Sequence, residues 1–132
     1  MNLLPATITE ILSQKPLHIV KFDFGGHALS MMSLDLSNQI KVNTQVHLTV
    51  NPSYIALAKS CSGAMSYSNQ IPATILSINQ GVLLSAIKLQ IGACTLESII
   101  TTESSQRMQL KEGDSVTMLI KASELSIVEV LG

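Results

Sequence analysis

Polar and apolar side chains alternate along much of this chain. Residues 21–24 (KFDF) and 88–91 (KLQI) place an apolar side chain at every second position, and residues 115–120 (SVTMLI) alternate before they become fully apolar. A period of two is typical of strands that bury one face. The segments 25–27 (GGH) and 79–81 (NQG) separate such runs, and we expect their glycines to take positive φ in turns. The pattern predicts an all-β protein.

One segment departs from this alternation. Residues 101–110 (TTESSQRMQL) begin with hydroxyl and acidic side chains and continue with better helix formers. A hydroxyl at the cap and an acid in the first turn are typical of a helix start. We therefore expect a short helix here, with Met108 and Leu110 facing the core.

The chain also repeats itself. Residues 2–8 (NLLPATI) resemble residues 69–75 (NQIPATI), and at the same offset KFDFGGHAL lies over KLQIGACTL. Agreement of apolar phase and glycine over a whole unit indicates a duplication. We predict two tandem OB-like barrels of five strands, each with one short helix. The predicted boundaries are a first domain at 1–60, a linker at 61–65 and a second domain at 66–132.

The composition favours an assembly of chains. Hydrophobic residues make up 46% of the chain and charged residues 13%, with a mean hydropathy of +0.38. Such a surface is poorly suited to a lone monomer, and two small units gain buried area by association. The net charge of −1 creates no field that would recruit nucleic acid or anionic lipid.

Several kinds of chemistry are disfavoured. Cys61 and Cys94 are too few and too far apart for a disulfide framework or a zinc site, and His18, His27 and His47 are scattered. We expect no direct protein–metal ligands. The chain has no nucleophile elbow, P-loop or dinucleotide-binding glycine motif, so we expect no enzyme.

Nucleic-acid and membrane partners are also disfavoured. Single-strand binding sites combine a basic groove with aromatic platforms, whereas Arg107 is the sole arginine and both Phe22 and Phe24 lie on the inward phase of a strand. The chain shows no leader segment and no apolar run of membrane-spanning length, so we expect it in the cytoplasm.

Three segments rich in hydroxyl groups remain. They are residues 66–69 (SYSN), 101–104 (TTES) and 121–123 (KAS). Hydroxyls, backbone N–H groups and one ammonium suit a compact dianion. The alternative is that these residues only cap turns and end a strand, and composition alone favours that alternative.

These segments carry a resemblance to a known family. In order, SYSNQIPATI, IITTESS and MLIKASELSI resemble the SARN-like, ITxxS and KAS segments of the molybdate-binding Mop domain, a TOBE-type OB-like module. The resemblance implies binding of molybdate or tungstate between domains or subunits, with no organic cofactor. It implies storage or homeostasis of the oxyanion by a homo-oligomer, with a trimer favoured over a dimer.

The resemblance also assigns site residues in the second repeat. The oxyanion-binding residues that it implies are Ser66, Tyr67, Ser68, Asn69, Thr101, Ser104, Lys121, Ala122 and Ser123. Ser68 occupies the position of the family's arginine, and Tyr67 that of a small alanine. These two departures put the strength of binding in question.

The first repeat departs further from the family pattern. Asn51 stands where the second repeat has Lys121, and the weaker candidates Asn2, Ser33 and Ser53 are all that the first repeat offers. Asp35 would repel a dianion. We therefore expect a degenerate site in this repeat.

A second function stays open at this stage. Related domain pairs serve as the ligand-sensing or interaction module of a molybdate-responsive regulator or an importer. This sequence has neither a helix-turn-helix nor a P-loop, so we expect the freestanding binding protein.

Overall fold

The computed structural model describes all 132 residues and contains two five-stranded antiparallel sheets. The first repeat supplies β1 (Leu4–Gln14), β2 (Leu17–Phe24), β3 (His27–Ser33), β4 (Gln45–Thr49) and β5 (Ala56–Ala58). The second supplies β6 (Asn69–Gln80), β7 (Leu84–Ile91), β8 (Cys94–Thr101), β9 (Ser115–Ile120) and β10 (Ser126–Val130). Helix α1 (Thr102–Arg107) precedes β9, and 3₁₀ turns precede β5 and β10. The predicted all-β fold of two five-stranded units is confirmed.

The two repeats exchange their last strands. One sheet has the order β10-β4-β1-β2-β3 and the other β5-β9-β6-β7-β8. Thus Ala56 of the first repeat pairs with Leu119, and Ile127 of the second repeat pairs with Leu48. Each exchanged strand covers an edge that its partner sheet would otherwise leave open. Sheet membership therefore crosses the boundaries at 60 and 66, and those boundaries stay a prediction.

The first strand of each repeat pairs with two neighbouring strands. Residues 4–7 of β1 pair with β4, and residues 7–14 pair with β2. In β6, residues 69–74 pair with β9 and residues 74–80 with β7. Each strand has a register shift just after the changeover, which bends it in the way a β-bulge does.

A single apolar core joins the repeats. Twenty-four buried side chains from both halves form one cluster, with Phe22 and Phe24 almost fully enclosed as their inward phase predicted. Ile55 of the first repeat is buried, and its carbonyl accepts a hydrogen bond from the Ser98 hydroxyl of β8 at 2.7 Å. Two units of this size gain stability by sharing a core.

The helical prediction holds for the second repeat. Thr101 caps α1, accepting a hydrogen bond from Ser104 N, and Leu110 is buried. The first repeat, which is three residues shorter here, has no α-helix, and its only helical element is the 3₁₀ turn Pro52–Tyr54. No helix is long and apolar enough to cross a membrane.

The turn glycines behave differently from one another. Gly25 and Gly26 have φ of 56° and 90°, as expected. Gly81 does not take positive φ. It is instead required for space, since a Cβ there would lie 2.6 Å from the carbonyl oxygen of Leu84.

Candidate functional site

The β6–β9 ladder brings two of the three predicted segments together. Asn69 pairs with Ile120 in antiparallel register. The residues before Asn69 and after Ile120 therefore leave the sheet side by side, which places Ser68 next to Lys121. Fifty-two residues separate Ser68 and Lys121 in the sequence, so only the fold joins them.

Lys121 is available to bind a ligand. Its side chain is exposed and takes part in none of the four ion pairs of the chain. Its backbone carbonyl accepts a hydrogen bond from Glu124 N at 3.0 Å, which starts the 3₁₀ turn Ala122–Glu124. Ser66, Ser68 and Ser123 are exposed, and Tyr67 is half-buried. This end of the second repeat therefore presents an unpaired ammonium next to Ser68.

The third predicted segment lies at the start of α1. The Thr101 hydroxyl oxygen accepts a hydrogen bond from Ser104 N at 3.1 Å, and the Ser104 hydroxyl oxygen accepts one from Arg107 Nη2 at 3.1 Å. A hydroxyl that accepts from an N–H group keeps its own proton free to donate. Both hydroxyls thus keep a proton to donate, and the Arg107 guanidinium lies beside Ser104.

Glu103, the acidic residue of this segment, points along the helix to Arg107. Its side chain is 90% exposed, with 3.8 Å between its Oε1 and Arg107 Nη1. Such an exposed pair contributes little stability. It leaves the hydroxyl cluster without a carboxylate between its donors.

Within one chain the two groups of residues are separated. Thr101 pairs with Leu84 at the start of β7, next to the Gln80 end of β6. Lys121 and Ser68 lie at the opposite, Asn69 end of β6. The eleven steps of β6 between these ends span at most about 36 Å. The structure therefore places two groups of candidate residues, which we call half-sites, toward opposite ends of β6.

Asn69, predicted to contact the oxyanion, is fully buried instead. Its side-chain Oδ1 accepts from Ser30 N at 2.7 Å, and its Nδ2 donates to Ser30 O at 3.0 Å. Asn2 is buried in the equivalent position of the first repeat and pairs with the backbone of Glu97. Both amides are committed to contacts between the repeats.

The other first-repeat candidates are also engaged within the chain. Asn51 Oδ1 accepts from both the amide and the hydroxyl of Ser53, which caps the 3₁₀ turn where Lys121 stands in the second repeat. The Ser33 hydroxyl donates to the carbonyl of Asp35. No lysine stands at the first-repeat counterpart of the Lys121 position.

A cleft on the surface combines residues of both repeats. Ser33, Asp35, Ser123 and Glu129 all line it, together with apolar side chains of β3 and β10. Two carboxylates make this cleft unsuited to an anion. Ser123 therefore lines a cleft whose two carboxylates disfavour an oxyanion.

Perturbed ionisation occurs away from both half-sites. The pKa of Asp114 is lowered, first by a hydrogen bond from Lys111 N and then by Lys59 Nζ, which lies 3.1 Å from Oδ2. Burial raises the pKa of the Cys94 thiol, whose Sγ donates to the carbonyl of Leu3. Neither group takes part in the candidate site.

Arg107 is a residue that sequence reasoning missed as a site candidate. Its spacing of three from Ser104 on a helix was the available signal, because such residues share a face. The arginine expected at position 68 is absent, and Arg107 places a guanidinium beside the other half-site.

Known proteins can now be compared with this arrangement. Residues 66–127 match the TOBE domain family. Molybdenum-pterin-binding protein 1 of Clostridium pasteurianum is 29% identical over 66 residues, which is 97% of that protein and 49% of this chain. The name of this relative describes a binding protein.

Solved structures match as well. ModG, described as a cytoplasmic molybdate-binding protein and solved with molybdate bound, aligns with a TM-score of 0.90 at 23% identity, covering 96% of this chain and 94% of ModG. A molybdate-binding protein from Sporomusa ovata aligns over 50% of this chain and 98% of its own, at 30% identity and a TM-score of 0.49.

The fold is that of a tandem OB-like protein built from two interlocked repeats. Residues 66–127, which make up most of the second repeat, match the TOBE domain family, and the chain as a whole shares the fold of ModG.

Proposed function

We propose that this protein binds molybdate or tungstate in the cytoplasm, for storage or homeostasis. The observation that carries the proposal is the junction of Ser68 with an exposed, unpaired Lys121 at one end of β6 and β9. The names of the relatives support the choice of ligand.

The donor groups suit an unprotonated tetrahedral dianion. Molybdate carries no proton at neutral pH, so each of its oxygens accepts hydrogen bonds. Phosphate is largely protonated there, and a site of hydroxyls, amides and ammonium leaves its proton without an acceptor. Selection against sulfate, which is also unprotonated, depends on the size of the site.

A complete site requires a second copy of the chain. One half-site supplies Lys121, Ser66 and Ser68, with backbone groups of Tyr67 and Ala122. The other supplies Thr101, Ser104 and Arg107 from a neighbouring chain, and the Arg107 guanidinium, which also pairs with Glu103, adds charged N–H donors. We do not extend the proposal to Asn2, Ser33 or Ser53, whose side chains are engaged within the chain.

The surface beside Thr101 supports assembly with another copy. Val82, Leu83 and Leu84 are 93%, 79% and 58% exposed at the tip between β6 and β7, and Thr102 N donates to the carbonyl of Leu83. Three adjacent exposed apolar side chains favour burial against another chain. A homotrimer, with a dimer as the alternative, would join this tip to the Lys121 end of a neighbour.

Calorimetric titration with molybdate, tungstate, sulfate and phosphate tests the function. We expect heat with the first two, and a loss of about tenfold or more in their affinity for Lys121→Ala, because a charge-assisted hydrogen bond is removed. Lys41→Ala, an exposed lysine of the first repeat, is the matched control. Absence of heat with the unaltered protein, at concentrations that saturate a micromolar site, would rule the function out.

Light scattering after size exclusion tests the assembly. We expect an oligomer whose melting temperature rises with molybdate, because the ligand stabilises the state that contains the complete site. A monomer with and without ligand contradicts the shared site.

A further inference from the structure

Two buried asparagines join the repeats in the same way. The Asn69 amide makes a two-way pair with Ser30, accepting from N at 2.7 Å and donating to O at 3.0 Å. The Asn2 amide makes the equivalent pair with Glu97 at 2.8 and 2.9 Å, and also donates to the carbonyl of Val50. Asn69 is 0% exposed and Asn2 is 4% exposed.

The partners of these amides lie on sheet edges. Ser30 is on β3 and Glu97 on β8, the outermost strands of the two sheets. An edge residue presents a backbone N–H and C=O without a strand partner. A carboxamide offers one acceptor and a donor side by side, so it substitutes for a neighbouring strand at that residue.

The position of Asn69 connects this pair to the proposed oxyanion site. It is the first residue of β6 and pairs with Ile120, so it adjoins both Ser68 and Lys121. Residues 66–68, of which Ser66 and Ser68 are exposed and Tyr67 is half-buried, lead into it, so the amide fixes the point where they join the strand. By contrast, Asn2 lies at the start of the first repeat, which has Asn51 rather than a lysine at the position of Lys121.

We propose that Asn69 is a positioning residue for oxyanion binding: it docks the start of β6 onto β3 of the other repeat and so orients Ser66–Ser68 against Lys121. This inference rests on the proposed function for its effect on binding. The docking itself is independent of any ligand.

No other side chain reproduces the pair. Aspartate lacks the donor at neutral pH, and glutamine is longer by one methylene group in a fully buried space. Alanine leaves both backbone groups of Ser30 without their partner, which costs more than the absent hydrogen bonds alone when the groups stay buried.

Paired alanine variants separate positioning from stability. We expect Asn69→Ala and Asn2→Ala each to lower the melting temperature by about 5–10 °C, because the first removes two hydrogen bonds of a buried amide and the second removes three. Only Asn69→Ala is expected to weaken molybdate binding, by about tenfold or more, in a calorimetric titration performed well below either melting temperature. Equal affinity losses in both variants, or none in Asn69→Ala, would overturn the positioning role.

An aspartate variant tests the two-way pair itself. In Asn69→Asp a carboxylate faces the carbonyl of Ser30 at pH 7.5, and burial raises the pKa of the introduced acid. At about pH 5 the protonated acid donates to that carbonyl and restores the pair. We expect its melting temperature to approach that of the unaltered protein as pH falls, and a constant or widening gap would overturn the docking geometry.

The two failures are distinguishable. If the unaltered protein does not bind molybdate, the proposed function fails while the melting measurements and the acid rescue still decide the docking. If it binds but the asparagine variants differ from expectation, only the positioning role fails.

Discussion

Single residues decide where donors and charges remain free. Lys121 and Asn51 occupy the same place in the two repeats, yet the lysine is unpaired while the asparagine caps its own turn through Ser53. Both repeats form a 3₁₀ turn here, but only the second carries an exposed ammonium at its start. The two repeats therefore share the same strands but differ in the side chain at this position.

Arg107 allows a prediction at this scale. Its guanidinium lies 3.1 Å from the Ser104 hydroxyl, so we expect Arg107→Gln to lower molybdate affinity by about tenfold through the loss of a charged donor. Arg107→Lys retains the charge and is expected to restore part of that affinity. Calorimetric titration measures both, with Lys41→Gln as the control for net charge. Unchanged affinity in the glutamine variant contradicts a role for this half-site.

At the scale of elements, an ion pair holds the exchanged strand β5 against its host sheet. Lys59, which follows β5, pairs with Asp114 in the turn before β9, and its Nζ also donates to the carbonyls of Met108 and Gln109. The other exchanged strand has its own pair, between Glu129 of β10 and His47 of β4. Both junctions thus combine a backbone ladder with a polar contact.

The lowered pKa of Asp114 makes the first junction sensitive to acid. Because the folded-state pKa lies below the ordinary value of 3.8, the carboxylate contributes stability above that value, and the contribution is lost as pH falls through the range below it. We expect Asp114→Asn to be less stable than the unaltered protein at pH 7, with the difference shrinking between about pH 4 and pH 2. Urea denaturation across this range measures it. Glu112→Gln in the same turn is the control, and a difference that does not change with pH contradicts the assignment.

The strand exchange determines the behaviour of the whole molecule. Each sheet is complete only with a strand from the other repeat, and one apolar core runs through both. The two halves are therefore interlocked, and a perturbation at the end of the second repeat is expected to act on the first.

Removal of residues 126–132 tests this interlocking. Deletion of β10 exposes β4, because Ser126 to Val130 pair with Val46 to Thr49. We expect the melting temperature to fall by about 10 °C and amide exchange in residues 45–49 to accelerate, although these residues belong to the first repeat. Glu129→Gln, which removes only the contact with His47, is the control. Unchanged protection of residues 45–49 in the deleted protein contradicts the exchange.

Much of this architecture follows from local pattern. The alternation in residues 21–24 and 88–91 places Phe22 and Leu89 in the core, and the hydroxyl cap at Thr101 begins the helix. Such features depend on side-chain direction and on hydrogen bonds within a few residues, which a sequence displays directly. The duplication is likewise visible, because equivalent strands need the same apolar phase.

Only the tertiary structure decided how the repeats share their strands and which polar residues stay free. The resemblance assigns both Asn69 and Lys121 to the ligand site. In the structure the Asn69 amide is buried against Ser30, whereas the Lys121 side chain is exposed. The partner of a hydrogen bond 39 residues away, like the sheet that a three-residue strand joins, depends on which edges meet in space. These contacts between strand edges are determined by packing over the whole chain, and local periodicity does not predict them.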